Sequence, residues 1–598
     1  MNIKKKSIYE NLDVIFITVL ITIFFTYHIT KISYGLPFFI NLDEIEFQSS
    51  ILSSLGFITG YFELNYNPFY APLINIILML KFIFINEFII NSLSLDQIKL
   101  KIYFNPELFI FYGRIASLTI TSLSIFFVYL IFKKLKINFL IYGVLLITFA
   151  SSLVVLNVST IMSKNSCNLL IFTIQLYFFI KYLFKIEKFE FKSYIILSLL
   201  ASLAWGVNYW PAFISLYGVL IFHYKRYKFS KIQNLFVFLS IFIILGPVVN
   251  YFFVNMSPLD HILYLDEQEK VKDIELILII NHFINNFFSS LKIIYAVDKN
   301  ILLLVAITPF FLINKHIKLK KEFLILFFLI IGPLIIFGIS GNFVPQLRYF
   351  GGVICVIIIL TALTFNELKK INFQYLGIVI IVFNSFFIYT NFKQTYKIIT
   401  AVNNNHSFFD FKKKIDNFNI DKSKVLFLVD LNFQESLKQN LYYLKLYENN
   451  LIKKTNTSKK VIKDIRNKID KINDKKNIII NNEDLKEDIT YFNYTYFPID
   501  NFELFFDFIN DDFDYVVIEE SSAFYLSDKA LQSEIKNFVK ENLLFKFIQF
   551  EDDKIFLRSQ QSIIHYYANT LTQYDFAENI ENNKLKVIYG TNFSLYEL

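Results

Sequence analysis

The chain has 598 residues, of which 55% are apolar, and a mean hydropathy of +0.45. A soluble globular protein is nearer 45–50% apolar, so these values exclude an ordinary soluble domain. The net charge of +8 is unevenly spread: residues 1–400 hold 33 Lys+Arg against 20 Asp+Glu, and residues 401–598 hold 26 against 31. A basic first part with a mildly acidic tail argues against nucleic-acid binding. The two cysteines, Cys167 and Cys355, both fall inside apolar runs, which excludes a disulfide framework.

In chain order, Lys4-Lys5-Lys6 precedes an apolar run from Val14 to Ile29 with no small-residue cleavage site after it, the pattern of an uncleaved signal anchor. Apolar runs long enough to cross about 30 Å of hydrocarbon recur from there to about residue 391. The positive-inside rule orients them. Helix 1 (about 14–31) leaves the cytoplasm and delivers residues 33–112 to the outside. Within that segment, Leu73 to Ile90 is interrupted by Lys81 and Glu87 and reads as an interfacial helix. If it crossed, the cluster Lys133-Lys134-Leu135-Lys136, which closes helix 2 (about 113–132), would lie outside. Helices 3 (about 138–157) and 4 (about 166–184) follow, and helices 5 (about 193–209) and 6 (about 211–224) form a hairpin around Tyr209-Trp210-Pro211. Helix 7 (about 232–253) leads to an external, partly amphipathic segment at 255–298. Helices 8 (about 300–314), 9 (about 322–340), 10 (about 350–366) and 11 (about 374–391) complete the set, with every strong Lys/Arg cluster on one side.

The fold class expected is therefore a polytopic α-helical membrane protein with about 11 transmembrane helices in residues 1–392, and a C-terminal extracytoplasmic α/β domain in residues 393–598. The tail alternates β-like runs (424–429, 477–480, 514–518) with a helix-like stretch at 433–447 and a solvated Lys/Asn/Asp-rich stretch at 453–476. Two more runs, 544–550 and 554–558, flank Glu551-Asp552-Asp553 and read as a hairpin.

Ionisable side chains at the outer mouths of membrane helices are costly to keep there, which makes them functional candidates. Four places qualify: Asp43-Glu44 after helix 1, Arg114 at the outer end of helix 2, Lys164 between helices 3 and 4, and Arg348-Tyr349 before helix 10. Two acids and three cations in one layer suit glycosyl transfer from a lipid phosphate. A carboxylate accepts the proton of an attacking hydroxyl, and cations stabilise the departing phosphate. Ordinary roles compete: snorkelling for Arg114 and Lys164, a helix N-cap for Asp43. No His/Cys/Asp cluster has metal-ligand spacing, and there is no GxxxxGK[ST] or GxGxxG loop. Whether a divalent cation assists stays open.

A signal anchor, an external Asp43-Glu44 pair, the stretch Asn65-Tyr66-Asn67-Pro68-Phe69-Tyr70-Ala71-Pro72, an interfacial helix and Arg114-Ile115-Ala116-Ser117 together resemble the GT-C glycosyltransferases. The resemblance covers roughly residues 10–370 and is to the branch of protein O-mannosyltransferases and lipid A aminoarabinose transferases. It implies Asp43 acting on the acceptor with Glu44 in support, and Arg114 with Arg348-Tyr349 near the donor phosphate. It further implies a polyprenyl-phosphate sugar donor, inversion, and a lipid, glycan or protein acceptor. The chain departs from the family at Asn168, where an Asp is usual, at Tyr209, where a Lys is usual, and at Ala71-Pro72, which lacks an acidic residue or His. The expected location is the bacterial inner membrane, N-terminus cytoplasmic. Two alternatives are a transporter or flippase for a lipid-linked glycan, which wants ionisable groups at mid-bilayer depth, and a glycan polymerase or ligase, which wants paired arginines in a late external loop.

Overall fold

The structure is a computed structural model. It describes residues 2–29, 32, 73–94, 98, 106–207, 209–228, 230–248, 276–313, 317–339, 350–369, 375–405 and 424–429. It further describes 490–493, 513–519, 543–547, 555–557, 587–589 and 593–597, with isolated helical positions between 463 and 470.

The helices are α1 (Asn2–Ile29), α2 (Leu73–Ile83, continuing as a π-helix over Phe84–Ile90), α3 (Pro106–Lys134), α4 (Phe139–Ala150), α5 (Leu153–Thr160), α6 (Asn165–Leu183) and α7 (Phe191–Trp205). They continue as α8 (Tyr209–Tyr227), α9 (Gln233–Ile243, then π-helical over Ile244–Val248), α10 (Leu276–Val297), α11 (Asn300–Ile313), α12 (Lys320–Ile339), α13 (Gly351–Lys369) and α14 (Tyr375–Asn405). Among the described residues, five helices are long and apolar enough to cross a membrane, or up to seven if each of two bent pairs counts as one span. That set of helices is compatible with an integral membrane protein.

A helix apolar all round belongs in the middle of such a bundle. Here it is α13, whose residues from Val353 to Leu360 are all fully buried. It packs against α3, α4, α6, α11, α12 and α14. Gly352 lets it approach α6: a Cβ there would lie 2.5 Å from two ring carbons of Phe172. In membrane bundles, where lipid is as apolar as the core, close backbone approach at small residues is a main source of helix association. Gly352→Val is expected to cost about 2–3 kcal/mol through overpacking, read as a lower unfolding midpoint in detergent.

The cation-rich helix ends gather together. Asp13 of α1 is buried and bonds both Lys133 at the end of α3 and Tyr142 at the start of α4. Arg226 at the end of α8 donates to the Phe189 carbonyl and lies 3.9 Å from Glu190, just before α7. Lys136, Lys185 and Lys228 close α3, α6 and α8 with left-handed φ of 55°, 56° and 53°. A cation in the last turn also complements the helix dipole.

Three expectations are corrected. Helix 2 begins at Pro106, not near 113; proline is well suited to a first helical position because it has no N–H to satisfy. Helix 3 is two helices, α4 and α5, meeting at a 50° bend. Ser152 causes the break by capping the Val155 N–H at 3.3 Å, which starts a new helix. Helix 8 (α11), at 14 residues, is long and apolar enough to cross only when taken together with α10, which it meets at a 109° bend.

In the tail, β1 (Val425–Val429), β2 (Thr490–Asn493), β3 (Tyr515–Glu519), β4 (Leu543–Phe547) and β7 (Phe593–Glu597) form a sheet of order β2-β1-β3-β7-β4. β1 runs parallel to β2 and β3, while β7 runs antiparallel to β3 and β4. The runs around Glu551-Asp552-Asp553 are both strands, but they do not pair as a hairpin. β4 joins β7, whereas β5 (Ile555–Leu557) joins β6 (Val587–Tyr589) in a second sheet. The expected segments 433–447 and 477–480 lie outside the described residues.

Candidate functional site

The end of the bundle opposite the cation-rich ends is where α2, α3 and the start of α6 meet. A small apolar cluster joins them: Ile76, Met79 and Ile83 of α2 with Phe109, Ile110 and Tyr112 of α3, and Met162 just before α6. Gly113 has no Cβ because that space is filled by the Met162 side chain. Polar bonds frame this cluster. Asn75 Nδ2 donates to the Ser163 carbonyl at 3.0 Å and to Ser166 Oγ at 3.1 Å, tying the start of α2 to the start of α6. At the other end of α2, Glu87 is buried in the π-helical turn. It accepts from Tyr112 at 2.9 Å, Asn86 at 3.2 Å and Asn91 at 3.0 Å. A buried carboxylate is tolerated when several donors satisfy it in this way.

The six residues expected to form the site divide into those described and those not. Asp43, Glu44, Arg348 and Tyr349 lie outside the described residues. Arg114 is not at the mouth of its helix. It sits more than two turns inside α3, fully buried, and donates from Nη1 to the Ile32 carbonyl at 2.9 Å. Ile32 follows the end of α1, so Arg114 fastens the exit of α1 to α3. Lys164 occupies the N-cap position of α6 and is partly exposed. A cation at a helix N-terminus opposes the dipole by a few tenths to about 1 kcal/mol, a cost that an anion at the same place would offset.

Beside Lys164, the sequence-flagged Asn168 is buried in the first turn of α6, and its Oδ1 has no hydrogen-bond partner among the described residues. The same holds for Asn165 Oδ1, one turn away on the same face, and for Ser117 Oγ, one turn along α3 from Arg114. Tyr209 is the first residue of α8. Among the described residues, no three His, Cys, Asp or Glu side chains converge as metal ligands.

Sequence reading missed Glu87 as an anchored group, although a lone Glu within an apolar run is its own signal. It also missed Asn75 and Asn165, for which no one-dimensional signal exists. Beside α1, an apolar cleft is lined by Leu20, Phe24, Ile147, Leu156 and Phe392, with Tyr27, His28 and Ser151 among its polar members.

No family model, curated protein or solved structure matches the chain.

Proposed function

We propose that the chain is an integral membrane glycosyltransferase of GT-C type, with about eleven spans and an extracytoplasmic C-terminal α/β domain. It moves a sugar from a polyprenyl-phosphate donor to a hydroxyl or amine of a lipid, glycan or protein on the outer face of a bacterial inner membrane. Asp43 takes the acceptor's proton, Glu44 supports it, and Lys164, Arg348 and Tyr349 receive the lipid phosphate as it leaves with inversion at the sugar. Arg114 holds the start of the Asp43-bearing segment against the bundle and lends its charge to the same layer.

The observation that carries this reading is the tie from Arg114 to the Ile32 carbonyl. It starts the acidic segment eleven residues before Asp43, on a helix packed against the Lys164 end of α6. Two further observations support it. Carbonyl oxygens of Asn165 and Asn168 that lack donors are suited to sugar hydroxyls. The apolar cleft beside α1 is suited to an isoprenoid chain. The test is mass spectrometry of glycolipids and glycans with and without the gene. One glycan should lose one sugar while a polyprenyl-phosphate sugar accumulates; unchanged profiles would overturn the proposal.

The flippase reading keeps a place through one observation. Asp298 is a buried carboxylate at a sharp break between two helices, away from the α2–α3–α6 corner.

A further inference from the structure

Asp298 lies in the turn between α10 and α11, and it is fully buried. Its Oδ1 accepts from the Asn300 backbone N–H at 2.9 Å and from Asn300 Nδ2 at 2.8 Å. Asn300 Nδ2 also donates to Asn384 Oδ1 at 2.9 Å, and Asn384 Nδ2 returns a bond to Asn300 Oδ1 at 3.1 Å. Thr148 Oγ1 donates to the same Asn384 Oδ1 at 3.0 Å. All four residues are at most 1% exposed. The network therefore joins the α10–α11 break to α4 and α14.

Its depth follows from helix rise. Thr148 is the tenth residue of α4 and Asn384 the tenth of α14, and both helices start from the cation-rich side. At 1.5 Å per residue each lies about 14 Å from its helix start, which is near the middle of a hydrocarbon core about 30 Å thick. α11 has 14 residues and rises only about 20 Å, so it too begins inside the membrane. Non-helical backbone at such depth is tolerated where it is buried in protein or lines a cavity, and broken helices at the midplane are a recurrent place for small ions.

The charge is the unresolved quantity. Asp298 Oδ2 has no hydrogen-bond partner among the described residues. Among the described residues of the packed elements, charged side chains stand away from it: on α12, packed against α10, Lys320, Lys321 and Glu322 lie in the first turn, with Lys320 Nζ donating to the Leu312 carbonyl near the end of α11 at 2.6 Å. α4 and α11 carry no charged side chain. Glu367 and Lys369 close the far end of α13. Lys393 is about 14 Å along α14 from Asn384. Lys292 of α10 is exposed, and Lys299 lies over the Tyr295 ring at 5.5 Å. An isolated carboxylate in apolar surroundings costs far more than the two hydrogen bonds from Asn300 can return, so it is met by neutralisation.

We propose that the α10–α11 break is a binding site for a small monovalent cation, H⁺ or Na⁺, with Asp298 supplying the charge. Asn300, Asn384 and Thr148 supply neutral oxygens and hold the carboxyl in place. The inference is independent of the glycosyl-transfer reading, because none of these residues belongs to the α2–α3–α6 corner.

The experiment is thermal unfolding of the full-length protein in lipid nanodiscs. The midpoint is followed from about pH 8 to about pH 5, and at about pH 8 with NaCl replacing choline chloride at constant ionic strength. The wild type should gain about 3 °C or more as pH falls if the cation is H⁺, or on adding NaCl if it is Na⁺. Asp298→Asn, a neutral isostere, should fold, lose that response, and hold a midpoint near the wild type's best condition. A wild-type midpoint indifferent to both changes would overturn the proposal. So would an Asp298→Asn protein that keeps the wild-type response, or one that fails to fold, since a neutralised carboxyl tolerates its own amide.

Discussion

Asp43→Asn is expected to lower sugar transfer by roughly 10²–10⁴-fold, the usual contribution of a positioned general base, with membrane insertion and yield unchanged. The amide keeps the size and hydrogen-bonding reach of the side chain but cannot take a proton. The substitution also separates the two readings of this residue. Asn and Asp are about equally good helix N-caps, so a purely structural Asp43 would accept Asn with almost no effect. Glu44→Gln, in a supporting place, should cost less. Initial rates with a polyprenyl-phosphate sugar and the acceptor that is left without its sugar in the gene-deletion strain measure both, and an unimpaired Asp43→Asn enzyme sinks the assignment.

Arg114→Ala is expected to have the largest effect on stability, on the order of 3 kcal/mol. Arg114 is the largest of the fully buried side chains. Truncating it leaves a cavity and strips the Ile32 carbonyl of a 2.9 Å bond. A lowered unfolding midpoint in detergent is the first readout. The second distinguishes structure from substrate handling. Arg114→Lys keeps the charge but loses the planar fork of donors. If the guanidinium also serves the donor phosphate, Arg114→Lys raises KM for the lipid donor beyond what its stability loss explains. A KM equal to wild type in a folded Arg114→Lys protein would leave Arg114 as a fastening residue alone.

The grouping of helix ends was legible in the lysine clusters, because cations resist crossing lipid and so collect at the ends of apolar runs. The contacts of Asp13 with Lys133 and Tyr142, and of Arg226 with Phe189 and Glu190, then bring those same ends together. The tail's strands were legible too: the runs at 424–429 and 514–518 became β1 and β3 with shifts of one residue. Their partners were not. A turn-like Glu551-Asp552-Asp553 between two apolar runs says strand, turn, strand. Yet the antiparallel partner of β4 comes from residues 593–597. Ladder pairing depends on which edge is free, and that is a property of the whole sheet.

The same limit governed the site. Arg114 was legible as a cation near the end of an apolar run. Its place inside the helix was not, because the helix extends back to Pro106, over residues that the sequence reading left in the external segment 33–112. Glu87 was visible only as an interruption in a run, while its anchoring by Tyr112 needs two segments to meet.

Composition and charge order alone pointed to a helical chain with segments apolar enough to cross a membrane, cation-rich helix ends and a strand-bearing tail. They did so because burial in lipid and the cost of moving cations across it act on each segment locally. Only the tertiary structure decided that Arg114 is a buried fastening and that Asp298 sits in the middle of the bundle. Those facts depend on which helix faces which, and hydrogen bonds between residues 82 to 236 positions apart leave no trace in a local pattern.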